Sequence, residues 1–131
     1  MQREYMLAQY LHEHNLRAFD WARWNCCHFA SEWVRRAEGW SPMSGLPQMK
    51  SQTTAHRLLG QLGGLREAWT KQLGREPILP TLAQSGDIVL VEAYGTEAVG
   101  ICAGRTAAVL TLEHGLAHVS MSEAKAAWRL S

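Results

Sequence analysis

Apolar residues along the chain fall into two textures. In the first half they recur every three or four residues, the spacing of one helix face. Met6, Leu7, Tyr10 and Leu11 predict an amphipathic helix over about Gln2 to Leu16. Phe29, Ala30, Trp33, Val34 and Ala37 predict a second, beginning at Cys26, capped by Gly39 and barred from continuing by Pro42. Phe19 and Trp21 lie in the connector between them. Beyond a loop with Pro42, Gly45 and Pro47, the positions Ala55, Leu58, Leu59 and Leu62 predict a third helix ended by Gly63-Gly64. Leu65, Ala68, Trp69 and Leu73 predict a fourth, ended by Gly74.

Past Pro77 and Pro80 the pattern changes to short β-branched runs divided by glycine-containing turns. This predicts antiparallel strands at about Asp87 to Ala93, Ala98 to Ala103, Ala107 to Leu112 and Leu116 to Met121. Ser122 is placed to cap a last helical segment, Glu123 to Trp128. Helices followed by a small antiparallel sheet make an α+β domain, and 131 residues suit a single domain spanning 1–131.

Composition narrows the partners. Thirteen Lys and Arg against twelve Asp and Glu give a net charge of +1, with no basic run to neutralise phosphates, so no nucleic acid partner is expected. The longest apolar stretches, such as Ile88 to Val91, fall far short of the roughly 20 residues that span a bilayer, and no membrane partner is expected. Glu4 stands where a signal peptide needs an apolar core, which predicts no Sec export. The cysteine count is odd, and Cys26 and Cys27 are adjacent. That argues against a disulfide framework and for folding in a reducing cytosol. No C-x-x-C pair is present, and neither a metal nor another cofactor is expected.

The sharpest chemical feature is Cys26 at a helix start. Unpaired N–H groups and the positive end of the helix dipole favour a thiolate there, and the thiolate is the nucleophile. The competing reading makes Cys26 and Cys27 small buried hydrophobes. A cysteine hydrolase also needs an imidazole within reach of the sulfur. His12 and His14 fall on the polar side of the first helix, and His56 on the surface of the third. His28 follows Cys26 by two positions, so the two side chains do not face each other. His114, in a turn, and His118, in a strand whose apolar side is Ala117, Val119 and Met121, are left as candidate bases.

The ordered blocks Phe19-x-Trp21-x-x-x-x-Cys26-x-x-Phe29-Ala30, Gly63-Gly64, Gly86-Asp87-Ile88-Val89-Leu90, Ala98-Val99-Gly100-Ile101-Cys102-x-Gly104, Gly115-Leu116 and Ala126-Ala127-Trp128-Arg129 resemble short phage and prophage proteins found among tail genes. These are related to the papain-like, NlpC-type cell-wall cysteine peptidases. The resemblance implies a papain-like fold with Cys26 as nucleophile. NlpC-type enzymes carry an Asp-Cys pair and a basic His just before a Val/Ala-Gly-Ile/Leu strand. Here the pair is Asn25-Cys26, and the residue before Val99-Gly100-Ile101 is Ala98. The residue that orients the His should fall near Ala108 to Leu110, where the sequence offers no polar side chain.

The resemblance therefore implies a catalytically degenerate tail-tip or tail-assembly component, made in the bacterial host cytoplasm and carried on the virion tail. Its partners would be tail hub and distal-tail proteins, with Trp24 and Trp40 as interface anchors and Trp33 and Trp69 in the core. The enzymatic alternative is a cysteine peptidase or amidase cleaving peptidoglycan stem peptides during phage entry, with Cys26 as nucleophile and His114 or His118 as base. A third reading is acyl transfer or another thiol-based modification on the same fold.

Overall fold

The computed structural model describes residues 2–130. Four helices come first: α1 (Gln2–His14), α2 (Cys26–Glu38), α3 (Gln52–Gln61) and α4 (Leu65–Leu73). Five strands follow: β1 (Ile88–Ala93), β2 (Thr96–Cys102), β3 (Thr106–Thr111), β4 (Gly115–Ser120) and β5 (Ala124–Trp128). The predicted glycine stops hold. Gly39 (φ 88°) and Gly74 (φ 67°) adopt the left-handed conformation, and their N–H groups cap the carbonyls of Arg35 and Thr70.

The sheet is antiparallel in the order β4-β3-β2-β1-β5, a meander whose last strand returns to the far side of β1. Both faces are covered, which explains why β1 and β3 read as continuous apolar runs. On one face Ile88, Leu90, Val99, Ile101, Leu110 and Trp128 meet Leu7, Tyr10, Phe29, Trp33 and Trp69 from the helices. The other face is built of small residues, among them Val89, Val91, Ala98, Cys102, Ala107, Val109 and Ala127, with Val119 of β4 beside them, and Ile78, Ala83 and Met121 pack against it. Each large side chain buried here contributes on the order of 1.5–3 kcal/mol.

The buried polar atoms in this core tie distant segments together. Tyr10 donates its hydroxyl hydrogen to the Phe29 carbonyl at 2.5 Å, and the Trp33 indole N–H donates to the Gly86 carbonyl at 2.8 Å. Buried Asp87 accepts from the N–H groups of Gln84 and Leu130 at 2.9 and 3.1 Å, fixing both ends of the sheet segment. Arg75 forks onto the Glu38 carboxylate at 2.7 and 2.9 Å and reaches the Arg129 carbonyl at 3.0 Å.

Four expectations are corrected. Ala124–Trp128 is a strand, although its alanines favour a helix. The open edge of β1 pairs Leu90, Val89 and Ile88 with Ala126, Ala127 and Trp128, and Ala127 also exchanges both of its backbone bonds with Ile78. This tertiary pairing satisfies the backbone and buries Trp128, which outweighs a propensity of a few tenths of a kcal/mol per residue. The cap in this region is Ser120, whose hydroxyl accepts from the Ser122 N–H before a single 3-10 turn. His14 is not solvated: its ring packs 4.7 Å from those of both Tyr10 and Trp24. Trp24 is itself buried, which removes it as an interface anchor, whereas Trp40 is exposed.

One irregularity positions everything that follows. β2 pairs with β1 over Thr96–Ile101, and β3 pairs with β4 over its whole length, yet β2 and β3 pair only at Ile101–Ala108 and Cys102–Ala107. The strands are pinched together at Gly100, where an added Cβ would overlap the Ala108 carbonyl oxygen, and they part beyond it. Gly100→Ala is therefore expected to lower the unfolding free energy by on the order of 1–3 kcal/mol in urea denaturation. Gly60→Ala, in open space within α3, is expected to raise it by roughly 0.5–1 kcal/mol.

Candidate functional site

The start of α2 is fixed by a compact turn. Asp20 and Trp24 exchange backbone bonds, and the Asp20 carboxylate accepts from the N–H groups of Ala22 and Arg23 at 2.8 and 3.2 Å. The chain then enters Asn25, which is buried in an extended conformation. Its Oδ1 accepts from the N–H groups of Cys27 and His28 at 2.9 and 3.1 Å, and its Nδ2 donates to the Trp21 carbonyl at 3.0 Å. His28 returns the favour, its Nδ1 accepting the Asn25 N–H at 3.1 Å. This reciprocal cap leaves Cys26 as the first residue of the helix, where unpaired amides and the helix dipole act on its sulfur.

The two adjacent cysteines are driven apart chemically. The Cys27 thiol donates a hydrogen bond to the Cys26 sulfur, which pulls the Cys26 pKa below that of an ordinary thiol; burial opposes this, and the backbone N–H of Val99 adds to it. Cys27 is pushed well up, because its proton is held by Cys26 and because it is buried. Cys102 is raised by burial and sits on the opposite face of the sheet. Of the three, Cys26 alone is half-buried; the others are fully buried.

Cys26 lines a cavity of about 380 Å³, a size suited to a small ligand or a short peptide. Phe19 and Trp21 from the connector, Met49, and Ala55 and Leu59 of α3 supply apolar walls. Ala98 of β2 and Leu110 of β3 complete them, and the tips of the β1–β2 and β3–β4 hairpins form the mouth. Tyr94 and Gly95, with φ of 52° and 78°, make the two-residue turn of the first hairpin. A positive φ is uncommon for an aromatic residue. Here the Tyr94 ring stacks on His114 of the second hairpin, with centroids 4.0 Å apart and planes inclined by 30°.

The cavity thus brings Cys26 and His114 together, and His118 is not part of it. His118 is exposed on β4, its Nδ1 3.5 Å from Thr106 Oγ1. His114 and His118 stand four residues apart, a spacing that would align them on a helix, but a turn and a strand separate them. His56, expected on the surface, is exposed and also lines the cavity, edge-on to Trp21. The signal for it was the α3 face of Gln52, Ala55, His56 and Leu59 at helical spacing. Among the described residues no imidazole hydrogen-bonds the Cys26 sulfur, and no three His, Cys, Asp or Glu side chains gather as metal ligands. The wall position expected to hold a base is the methyl group of Ala98.

The arrangement offers a sulfur biased toward thiolate, amide donors around it, and an apolar cavity rimmed by two imidazoles and the carboxylates of Glu97 and Glu113. The chain belongs to the family described as a domain of unknown function (DUF6950), which matches residues 2–130. No curated protein matches the chain.

Cys26 is expected to react first with iodoacetamide in the native protein, because the thiolate is the attacking form and this is the least buried of the three cysteines. In Cys27→Ala the donor that favours the thiolate is gone, so the midpoint of the pH–rate profile should move to higher pH. A midpoint unchanged by Cys27→Ala would show that the neighbouring thiol does not hold the Cys26 charge.

Proposed function

We propose that this family member is a phage or prophage tail-tip or tail-assembly component with a papain-like, NlpC-type fold, whose cleft retains the sulfur of a cysteine peptidase and lacks its base. The observation that carries the reading is Ala98. It lines the cavity with Cys26 on the strand where NlpC-type enzymes present their His, and it is followed by Val99-Gly100-Ile101 as in their pattern. Leu110, in the region where the orienting polar residue would stand, is likewise apolar. General-base assistance is worth about 10²–10⁴-fold, so a sulfur without it binds or is modified far more readily than it turns over a peptide.

In this reading the protein is made in the host cytoplasm, joins the tail, and holds hub or distal-tail proteins through apolar contacts. The net charge of +1 gives little long-range attraction to a charged partner. Exposed Leu79, Leu82, Tyr94 and Leu112 are available as apolar contact residues.

One observation favours the second reading, an active peptidase or amidase on peptidoglycan stem peptides: His114 lines the same cavity as Cys26. Its imidazole would then be the base, in place of the residue at position 98. The two readings separate in one assay. Purified protein is expected to leave muropeptide stem peptides uncut over a time in which an active NlpC-type enzyme consumes them. Turnover that is lost in both Cys26→Ala and His114→Ala, and kept in Cys27→Ala, would establish the enzyme instead. Association with tail proteins is expected to persist at about 0.5 M salt, where the Debye length is only a few ångströms. A free monomer absent from purified particles would remove the tail assignment.

A further inference from the structure

β4 is the outer strand of the sheet and packs chiefly on β3. The Ala103 N–H donates to the Thr106 carbonyl, so the even-numbered residues of β3 turn toward β2 and the odd-numbered ones toward β4. The register sets Ala107, Val109 and Thr111 against Val119, Ala117 and Gly115, and the Met121 N–H continues the series to the Arg105 carbonyl. The main-chain groups of Leu116, His118 and Ser120 are therefore the ones turned outward along the edge. The His118 ring does not cover them, since it lies back over β3 with its Nδ1 3.5 Å from Thr106 Oγ1.

The two edges of the sheet differ. β5 carries Lys125, meets β1 through a register shift at Leu90–Val91, and is bridged along its outer side by Ile78 at Ala127. Charge, bulge and a covering segment are the ways in which proteins guard an edge against further pairing. Among the described residues β4 has none of these. From Gly115 to Met121 the chain holds no charged residue and no proline, and β4 pairs with β3 in unbroken register along its whole length.

We propose that the β4 edge is a self-association surface, on which a second copy of this chain lays its own β4 antiparallel across a twofold axis at Ala117. In this register Ala117 faces the partner's Ala117, a pair small enough for a close approach of the strands. Leu116 then faces the partner's His118, so outward main-chain groups meet outward ones and exchange N–H···O=C bonds in both directions. An axis at His118 would instead set imidazole against imidazole and Glu113 against the partner's Glu123. With the axis at Ala117, the exposed Glu113 comes opposite the partner's Met121, whose N–H is bonded to Arg105. Each copy's Glu113 thus stands near the other's exposed Arg105, and this charge complementarity at both ends selects a second copy in one register over an arbitrary strand. The inference does not depend on what the Cys26 cavity holds.

The test uses the full chain. A strand of six residues makes a small interface, so sedimentation should show a weak monomer–dimer equilibrium. Dimer should appear between about 0.1 and 1 mM. Over that range amide exchange should slow at Leu116 and His118, while Ala117 and Val119, already bonded to β3, stay unchanged. His118→Lys puts a charge on the edge of each copy and should weaken the dimer at least about tenfold, its amide spectrum at low concentration reporting an intact fold. Ala117→Cys should form a disulfide-linked dimer in glutathione buffer, because the Cα atoms of a close antiparallel pair stand within disulfide reach. Ser120→Cys, displaced from its counterpart along the strand, should not. A chain still monomeric at about 1 mM, a dimer indifferent to His118→Lys, or equal cross-linking at both cysteine positions would each overturn the proposal. None of these results touches the tail-component reading, which stands or falls on the presence of the chain in purified particles.

Discussion

Cys26 stands beside Val99 where β2 stops pairing with β3, and one end of the molecule is arranged around that contact. The sheet must open for the start of α2 to reach it, and the opening begins at Gly100, the position where β2 and β3 come too close for a side chain. The helix is brought in by a cap that involves both neighbours of the site: Asn25 satisfies the amides of Cys27 and His28, and His28 satisfies that of Asn25. A short hydrogen-bonded turn, one glycine and one capped helix therefore hold the Cys26 sulfur at the edge of a strand. The cavity is the space these constraints leave between the hairpins and α3.

The two adjacent thiols divide the proton between them unequally, and that division decides what the site can do. Cys27 is the buried donor and Cys26 the partly buried acceptor that lines the cavity, so negative charge is favoured on the cavity side. A hydrolase couples such a sulfur to an imidazole that also activates water. Here His56 and His114 stand at the cavity's lining without a bond to the sulfur, and the β2 wall presents a methyl group. Nucleophilic character and the machinery for turnover are separable properties.

Much of the architecture was legible in the chain because it is local. Helical spacing located α1 to α4, glycine stops fixed the ends of α2 and α4, and alternation with turns located β1 to β4. Cys26 could be placed at a helix start from the apolar face that follows it, and Ala98 could be seen to lack an imidazole. What was not legible depends on partners distant in sequence. Ala124–Trp128 has the composition of a helix and becomes a strand because β1 offers an edge. His14 and Trp24 look like surface residues on their own elements, yet their rings pack together and Trp24 is buried. The parting of β2 from β3 has no sequence signature beyond Gly100, since it is set by how a helix about seventy residues upstream meets the sheet.

The position of β5 has a consequence for the order in which the molecule can assemble. β1 is flanked in the finished sheet by β2, which follows it at once, and by β5, which follows only after β2, β3 and β4. Until Ala124–Trp128 has left the ribosome, β1 has one bare edge, and the helical core lacks Trp128 with its bond to Thr70. The nascent chain thus carries an unclosed apolar strand for the time needed to add roughly forty residues, a few seconds at ordinary rates of synthesis.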